Sequence, residues 1–172
     1  VELPEMIDYK VDPAEKPWAA TGWDCNNPVG ERGNITSWYV ETEQLDVLSA
    51  RLQGRYEVIR NTEPQWEAYN MENAEIVVTA VGTIARIAKS VIDELKQEGI
   101  NIGMVRPITI WPFPYDAIRE AATQPGVKAV LDVEMNAGQM LEDVKLAING
   151  AQKVDFFGHC GSHLPTVEEI RE

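Results

Sequence analysis

From residue 74 onward, short apolar runs alternate with amphipathic ones. "AEIVVTAVG" (74–82) is a nearly unbroken β-branched run, the pattern of a parallel strand covered on both faces. Thr83 follows as the expected N-cap of a helix. In that helix Ile84, Ile87, Ala88, Val91, Ile92 and Leu95 recur every three or four residues, while Lys89, Asp93, Lys96 and Glu98 fall mostly on the other side. Gly99 is placed to stop it. "NIGMVRPITI" (101–110) predicts a second strand interrupted by proline, and Pro114-Tyr115-Asp116 opens a helix to about Thr123, closed by Pro125-Gly126. "KAVLDVEM" predicts a third strand, "GQMLEDVKLAIN" a third helix and "KVDFFG" a fourth strand. Strands separated by covering helices of this length make βαβ units, so the spacing predicts an α/β fold with a mostly parallel sheet.

Before residue 73 no such repeat exists. That stretch holds five of the prolines and four of the five tryptophans. Residues 1–37 read as an extended arm, with turns at Asn26-Asn27-Pro28 and Val29-Gly30 and with Trp18 and Trp23 as anchors. From about Glu41 to Tyr69, Leu45, Leu48, Leu52, Tyr56 and Ile59 recur at helical spacing, predicting a helix whose one stripe packs against the chain's own body. Pro64 should break or kink it. The shift in composition divides the chain into an arm and helical connector from a preceding domain (1–72) and an α/β domain (73–172). Because it opens on Val1 in what reads as the middle of a connection, the chain is taken as a fragment.

Composition narrows the function. A chain of 172 residues, 44% apolar and 25% charged, can fill one core. No apolar run approaches the roughly 20 residues a membrane span needs, and no basic and apolar leader is present, so a cytoplasmic location is expected. Cys25 and Cys160 stand far apart in no paired spacing, which argues against a disulfide scaffold or an iron-sulfur or zinc site. Asn34-Ile35-Thr36 matches a glycosylation acceptor but carries no weight without a secretion signal. A net charge of -13 repels phosphate backbones and anionic membrane surfaces, so neither nucleic acid nor membrane is an expected partner.

In an open parallel sheet, ligands and partners meet the carboxyl ends of the strands. Four points should gather there: Gly82-Thr83, Arg106-Pro107, Glu134 with Asn136-Ala137-Gly138 and then Gln139, and Gly158 to Ser162. Gly82 and Gly138 are candidates for a backbone anion cradle, yet neither lies in a dinucleotide fingerprint or a lysine-bearing phosphate loop, and tight strand-to-helix turns account for both. Asn136 is a candidate N-cap. A carboxylate ending a buried strand needs a partner, and for Glu134 two stay open: Arg106 at the end of a neighbouring strand, or another subunit. His159, Cys160 and His163 have irregular spacing and no fourth ligand, so they read as loop residues and not as a metal site. Cys160 as a nucleophile lacks an orienting third group. No catalytic residue is assigned.

"AEIVVTAVGTIARIAKSVIDELKQEGINIGMVRPITIWPFP", "VEMNAGQM" and "LPTVEEI" resemble, in that order, the C-terminal domain of the alpha subunit of 2-oxoacid:ferredoxin oxidoreductases, above all the 2-ketoisovalerate (VorB) branch. "EKPWAATG" and the connector resemble the segment joining the two alpha-subunit domains, so the likeness covers essentially the whole chain. The distinctive combination is Arg106-Pro107 with Trp111-Pro112-Phe113-Pro114, then Glu134-Met135-Asn136-Ala137-Gly138-Gln139. The resemblance implies a doubly wound sheet like the transketolase C-terminal domain. It implies oxidative decarboxylation of a 2-oxoacid to an acyl-CoA, with thiamine diphosphate, magnesium, iron-sulfur clusters and coenzyme A in the whole complex and electrons passing to ferredoxin. It implies that the thiamine is held by a preceding alpha domain and the beta subunit, so that this chain binds no cofactor and supports assembly with beta, gamma and ferredoxin-like delta subunits, ferredoxin docking elsewhere. Gly82, Thr83, Arg106, Glu134, Asn136, Gly138 and Gln139 are then interface or ligand-facing candidates. The chain departs from the branch at His159-Cys160-Gly161-Ser162 and Val167, where arginine and paired glycines precede "PTPEEI". The competing class is a free-standing flavodoxin-like module holding a nucleotide or flavin at the same edge.

Overall fold

The structure, a computed structural model, describes residues 6, 8, 38–161 and 164–171. The expectations for Trp18, Trp23, Cys25, the turns at 26–30, Asn34-Ile35-Thr36, Ser162 and His163 lie outside the described residues. Two compact units meet in sequence at Gly54 and Arg55. Helix α1 (Thr42–Thr62) runs through that point and stops just before Pro64. It ends seven residues short of Tyr69, and its stripe is covered only in part: Leu48, Leu52 and Ile59 are half-buried, Leu45 is 45% exposed, and no residue of α1 is fully buried. Val47 and Val58, off the stripe, are more exposed still, so what burial α1 has falls on the face its spacing predicts.

The larger unit continues with β1 (Trp66–Tyr69), β2 (Ile76–Ala80), α2 (Thr83–Gln97), β3 (Ile102–Pro107), α3 (Tyr115–Ala122), β4 (Ala129–Glu134), α4 (Gln139–Ile148), β5 (Lys153–Gly158) and α5 (Val167–Arg171). Its sheet has the order β1-β3-β2-β4-β5. β1 runs antiparallel to β3, and the other pairings are parallel. β1 stands where the helix was expected, and its alternation of exposed and half-buried positions over four residues is too short to read in sequence.

The fold is doubly wound. Val77, Val105 and Val130 point to a layer holding Ile118 of α3 and Met140, Val144 and Ile148 of α4. Val78, Met104 and Val133, one residue after, one before and three after those, point to the opposite layer with Ile84, Ala88 and Ile92 of α2 and Ile170 of α5. Both faces of the central strands are therefore apolar, which is why their sequences are continuous β-branched runs. Ile92 and Ile118 are each 1% exposed, and burying such a side chain stabilises by about 1.5–3 kcal/mol.

The end of α2 follows the expectation for Gly99. The Ile100 N–H donates to the Leu95 carbonyl and the Gly99 N–H to the Lys96 carbonyl, a paired closure that needs the left-handed φ of +84° at Gly99. At the start of α2 the expectation is corrected: the N-cap is Gly82 (φ 67°), Thr83 is the first helical residue, and no side chain caps the turn. A φ/ψ of 67°/-133° excludes threonine's branched side chain from the cap position.

Candidate functional site

β2 and β4 are neighbours, but the chain leaves β2 toward α2 on one face and leaves β4 toward α4 on the other. Their carboxyl ends therefore flank the topological switch point, where an open α/β sheet has its crevice. Gly82-Thr83 and residues 134–139 both reach this place, as the sequence predicts.

Glu134 is the last residue of β4 and 2% exposed. Its carboxylate accepts the Met140 N–H at 2.9 and 3.0 Å on its two oxygens, the Leu141 N–H at 3.0 Å and the Asn136 side-chain amide at 2.8 Å. Asn136 Oδ1 in turn accepts the Gly138 N–H at 2.7 Å and the Gln139 N–H at 2.9 Å. The free N–H groups that open α4 are thus taken by two side chains of the same turn, and a negative charge sits at the positive end of the helix. Asn136 caps from two residues away; the N-cap position itself is Gly138, left-handed at φ 98°. Burial would push the Glu134 carboxyl up, but the Met140 N–H, the neighbouring Asp132 carboxyl, the Asn136 amide and the Leu141 N–H together outweigh it and hold it below the ordinary glutamate range. The anion cradle considered at Gly138 is accordingly filled from within.

The pairing of Glu134 with Arg106 does not occur. Arg106 Nη1 meets Glu67 Oε2 at 3.2 Å, and Lys89 Nζ meets Glu67 Oε1 at 2.5 Å. Glu67 is carried by β1, whose antiparallel register sets it directly opposite Arg106. Lys89 first, with Arg106 adding, holds the Glu67 carboxyl low against the opposing effect of burial. All three side chains are about one-third exposed, so Glu67→Gln should cost less than about 1 kcal/mol in denaturant unfolding; a loss several times larger would show the bridge to be a structural clamp.

Two residues of this site escaped sequence reading. Asp132 is fully buried, two positions before Glu134 on the same side of β4, and its Oδ1 accepts the hydroxyl of buried Thr79 at 2.6 Å. Burial pushes the Asp132 carboxyl up to about 8, with the charge of Glu134 adding to the rise and the Thr79 hydroxyl and Lys145 opposing it. The available signal was the alternation inside "AVLDVEM", which places both acids on one face of a buried strand.

Gly158, ending β5, pairs with Glu134, and the His159 N–H donates to the Glu134 carbonyl at 3.1 Å. Cys160 is a free, exposed thiol. Among the described residues, no three of His, Cys, Asp and Glu gather as metal ligands. No helix there is long and apolar enough to cross a membrane.

The family model of pyruvate:ferredoxin oxidoreductase core domain II matches residues 74–170. The chain belongs to the 2-oxoacid:ferredoxin oxidoreductase family. Within this family, the ketoisovalerate oxidoreductase subunit VorB of Methanothermobacter thermautotrophicus is 34% identical over 168 residues, covering 98% of this chain and 45% of that protein. The VorB subunit of Methanothermobacter marburgensis is 36% identical over 151 residues, covering 87% and 42% respectively. The chain thus spans under half the length of the curated relatives it matches. A solved 2-oxoglutarate:ferredoxin oxidoreductase from Magnetococcus marinus, with 2-oxoglutarate, coenzyme A and succinyl-CoA bound, superposes with a TM-score of 0.64 over 83% of this chain and 24% of that one. At 18% identity that likeness speaks to the fold alone, and it agrees with the doubly wound α/β architecture.

Proposed function

We propose that this chain is the core domain II part, with its connector, of the alpha subunit of a 2-oxoacid:ferredoxin oxidoreductase that converts 2-ketoisovalerate to the acyl-CoA and passes electrons to ferredoxin. The observation that carries the reading is the 34% identity, over 98% of the chain, to a subunit named for ketoisovalerate. The domain's part in that enzyme is support: it presents Gly82, Thr83, Arg106, Asn136, Gly138 and Gln139 toward other subunits, while Glu134 shapes the turn from beneath.

The filled helix terminus supports this division of labour. A diphosphate brought to α4 would meet N–H groups already bonded and the charge of Glu134, so the start of α4 does not fit thiamine diphosphate. Thiamine diphosphate, magnesium, the iron-sulfur clusters and coenzyme A belong, on this reading, to other parts of a cytoplasmic complex with beta, gamma and ferredoxin-like delta subunits. The same filled cradle speaks against a flavodoxin-like module that would hold a nucleotide or flavin phosphate at α4. With a net charge of -13 the chain repels an acidic ferredoxin, which docks elsewhere.

The expected result is that the chain alone fails to reduce a viologen dye with any 2-oxoacid and coenzyme A. Purification from its native source should bring the other subunits with it, and that assembly should prefer 2-ketoisovalerate. Dye reduction by the chain alone would sink the support role. A native assembly preferring 2-oxoglutarate or pyruvate would sink the substrate. Crosslinks from ferredoxin falling mainly on residues 74–172 would contradict docking elsewhere.

A further inference from the structure

We propose that Asp132 and Glu134 hold a single proton between them, and that this proton is the catch that keeps the β4–α4 turn closed, so that alkaline conditions release the start of α4. The geometry is that of two acids two residues apart on one face of β4, 0% and 2% exposed. Glu134 is the ionised member, because its oxygens receive N–H groups from Met140, Leu141 and Asn136 and are therefore solvated by donors. Asp132 is supplied on one oxygen only. Its Oδ1 takes the Thr79 hydroxyl, while Oδ2 is buried with no donor among the described residues. A bare carboxylate oxygen in a core is costly, and a proton on Oδ2 turns that orphan acceptor into a donor whose neighbouring acceptor is Glu134. Two adjacent ionised carboxylates would repel in a medium of low polarity.

The groups facing the pair from each side agree. From β2 comes the Thr79 hydroxyl, which does not titrate. From β5 come Phe156, opposite Asp132, and Gly158, opposite Glu134, with His159 giving its backbone N–H to the Glu134 carbonyl. α4 contributes Lys145, a solvent-exposed cation whose charge opposes the rise at Asp132. When Asp132 gives its proton to hydroxide, two negative charges share the site. Glu134 is the member able to move, because it ends its strand and leads into the turn. Its withdrawal leaves the Met140 and Leu141 N–H groups without their acceptor.

The test compares the full chain with D132N, whose amide keeps the bond to Thr79 and donates permanently to Glu134. Between about pH 4 and about pH 8 the folded chain binds one proton more than the unfolded chain, because the folded carboxyl is raised. The stability this contributes is complete below the unfolded value and is lost as pH rises through the folded one. The folding constant should therefore fall, relative to D132N, by about tenfold per pH unit across that window and run parallel above it. A ratio independent of pH overturns the shared proton. Should D132N fail to fold, carboxyl-carbon NMR of the unaltered chain decides: Asp132 protonated at neutral pH supports the proposal, and Asp132 ionised below pH 5 overturns it. Hydrogen exchange tests the catch separately. Protection of the Met140 and Leu141 amides should drop as the pair loses its proton, and protection that stays constant through that ionisation overturns the catch.

Discussion

Glu134→Ala is expected to lower folding stability by about 3–5 kcal/mol, the range for removing one partner of a buried, charged, fully bonded arrangement. The substitution strips α4 of the acceptor for its Met140 and Leu141 N–H groups and releases the Asn136 amide, whose own oxygen holds the Gly138 and Gln139 N–H groups. Hydrogen bonds to a charged group contribute about 1.5–3 kcal/mol, and a buried donor left without one costs more than the bond itself contributed. Glu134→Gln, which keeps the shape and one carbonyl oxygen, should lose about half as much. Glu134 also has a pH signature. Its carboxyl is held low, so its contribution is present above the unfolded value of 4.5 and is lost as pH falls through the lower folded value. The glutamine variant should lack that acid-side loss. Denaturant unfolding at neutral pH and at pH 3–5 measures both effects. An alanine variant within about 1 kcal/mol of the parent chain would mean that the bonds to α4 are not what holds the turn.

Gly158→Ala should cost about 2–3 kcal/mol and lower the melting temperature by roughly 5–10 °C, a large effect for one methyl group. A Cβ on Gly158 would meet the Asn136 carbonyl oxygen at 2.5 Å and the Phe156 ring closer still. The ring can turn, but the carbonyl is backbone of the residue that caps α4. Any shift is therefore passed into the turn that Glu134 organises. Gly54→Ala is the contrast: inside α1, with no atom within 4 Å of the added Cβ, it should stabilise by about 0.5–1 kcal/mol. Melting curves of the two variants beside the parent chain make the comparison, and equal small effects would show that the close approach at Gly158 relaxes freely.

The reach of the sequence follows from which interactions are local. Helical spacing over residues 84–95 and the β-branched run 76–80 report burial on one face or on two, and both elements form where the periodicity places them. Gly99 closes α2 because a left-handed turn is a property of one residue and its immediate neighbours. The family was legible for a different reason: Arg106-Pro107 with the following Trp111-Pro112-Phe113-Pro114, and the stretch from Glu134 to Gln139, are distinctive as strings whatever their contacts.

Side-chain partners were not legible, because they depend on strand order and register. Arg106 and Glu134 end strands of one sheet, yet β2 lies between those strands, and an antiparallel β1 hidden in a polar stretch brings Glu67 to Arg106 instead. Asp132 reads as one acid in an apolar run until β2 sets Thr79 beside it and α4 seals it from water. α1 follows its spacing only in part: its half-buried residues Leu48, Leu52 and Ile59 lie on the predicted stripe, but none is fully buried, because how far a face is covered depends on a second surface that spacing within one helix does not describe. Local periodicity thus determined the elements from β2 to β5, and the string of residues determined the family. Only the tertiary arrangement decided which charges meet, because Coulomb and hydrogen-bond partners are chosen by distance through space.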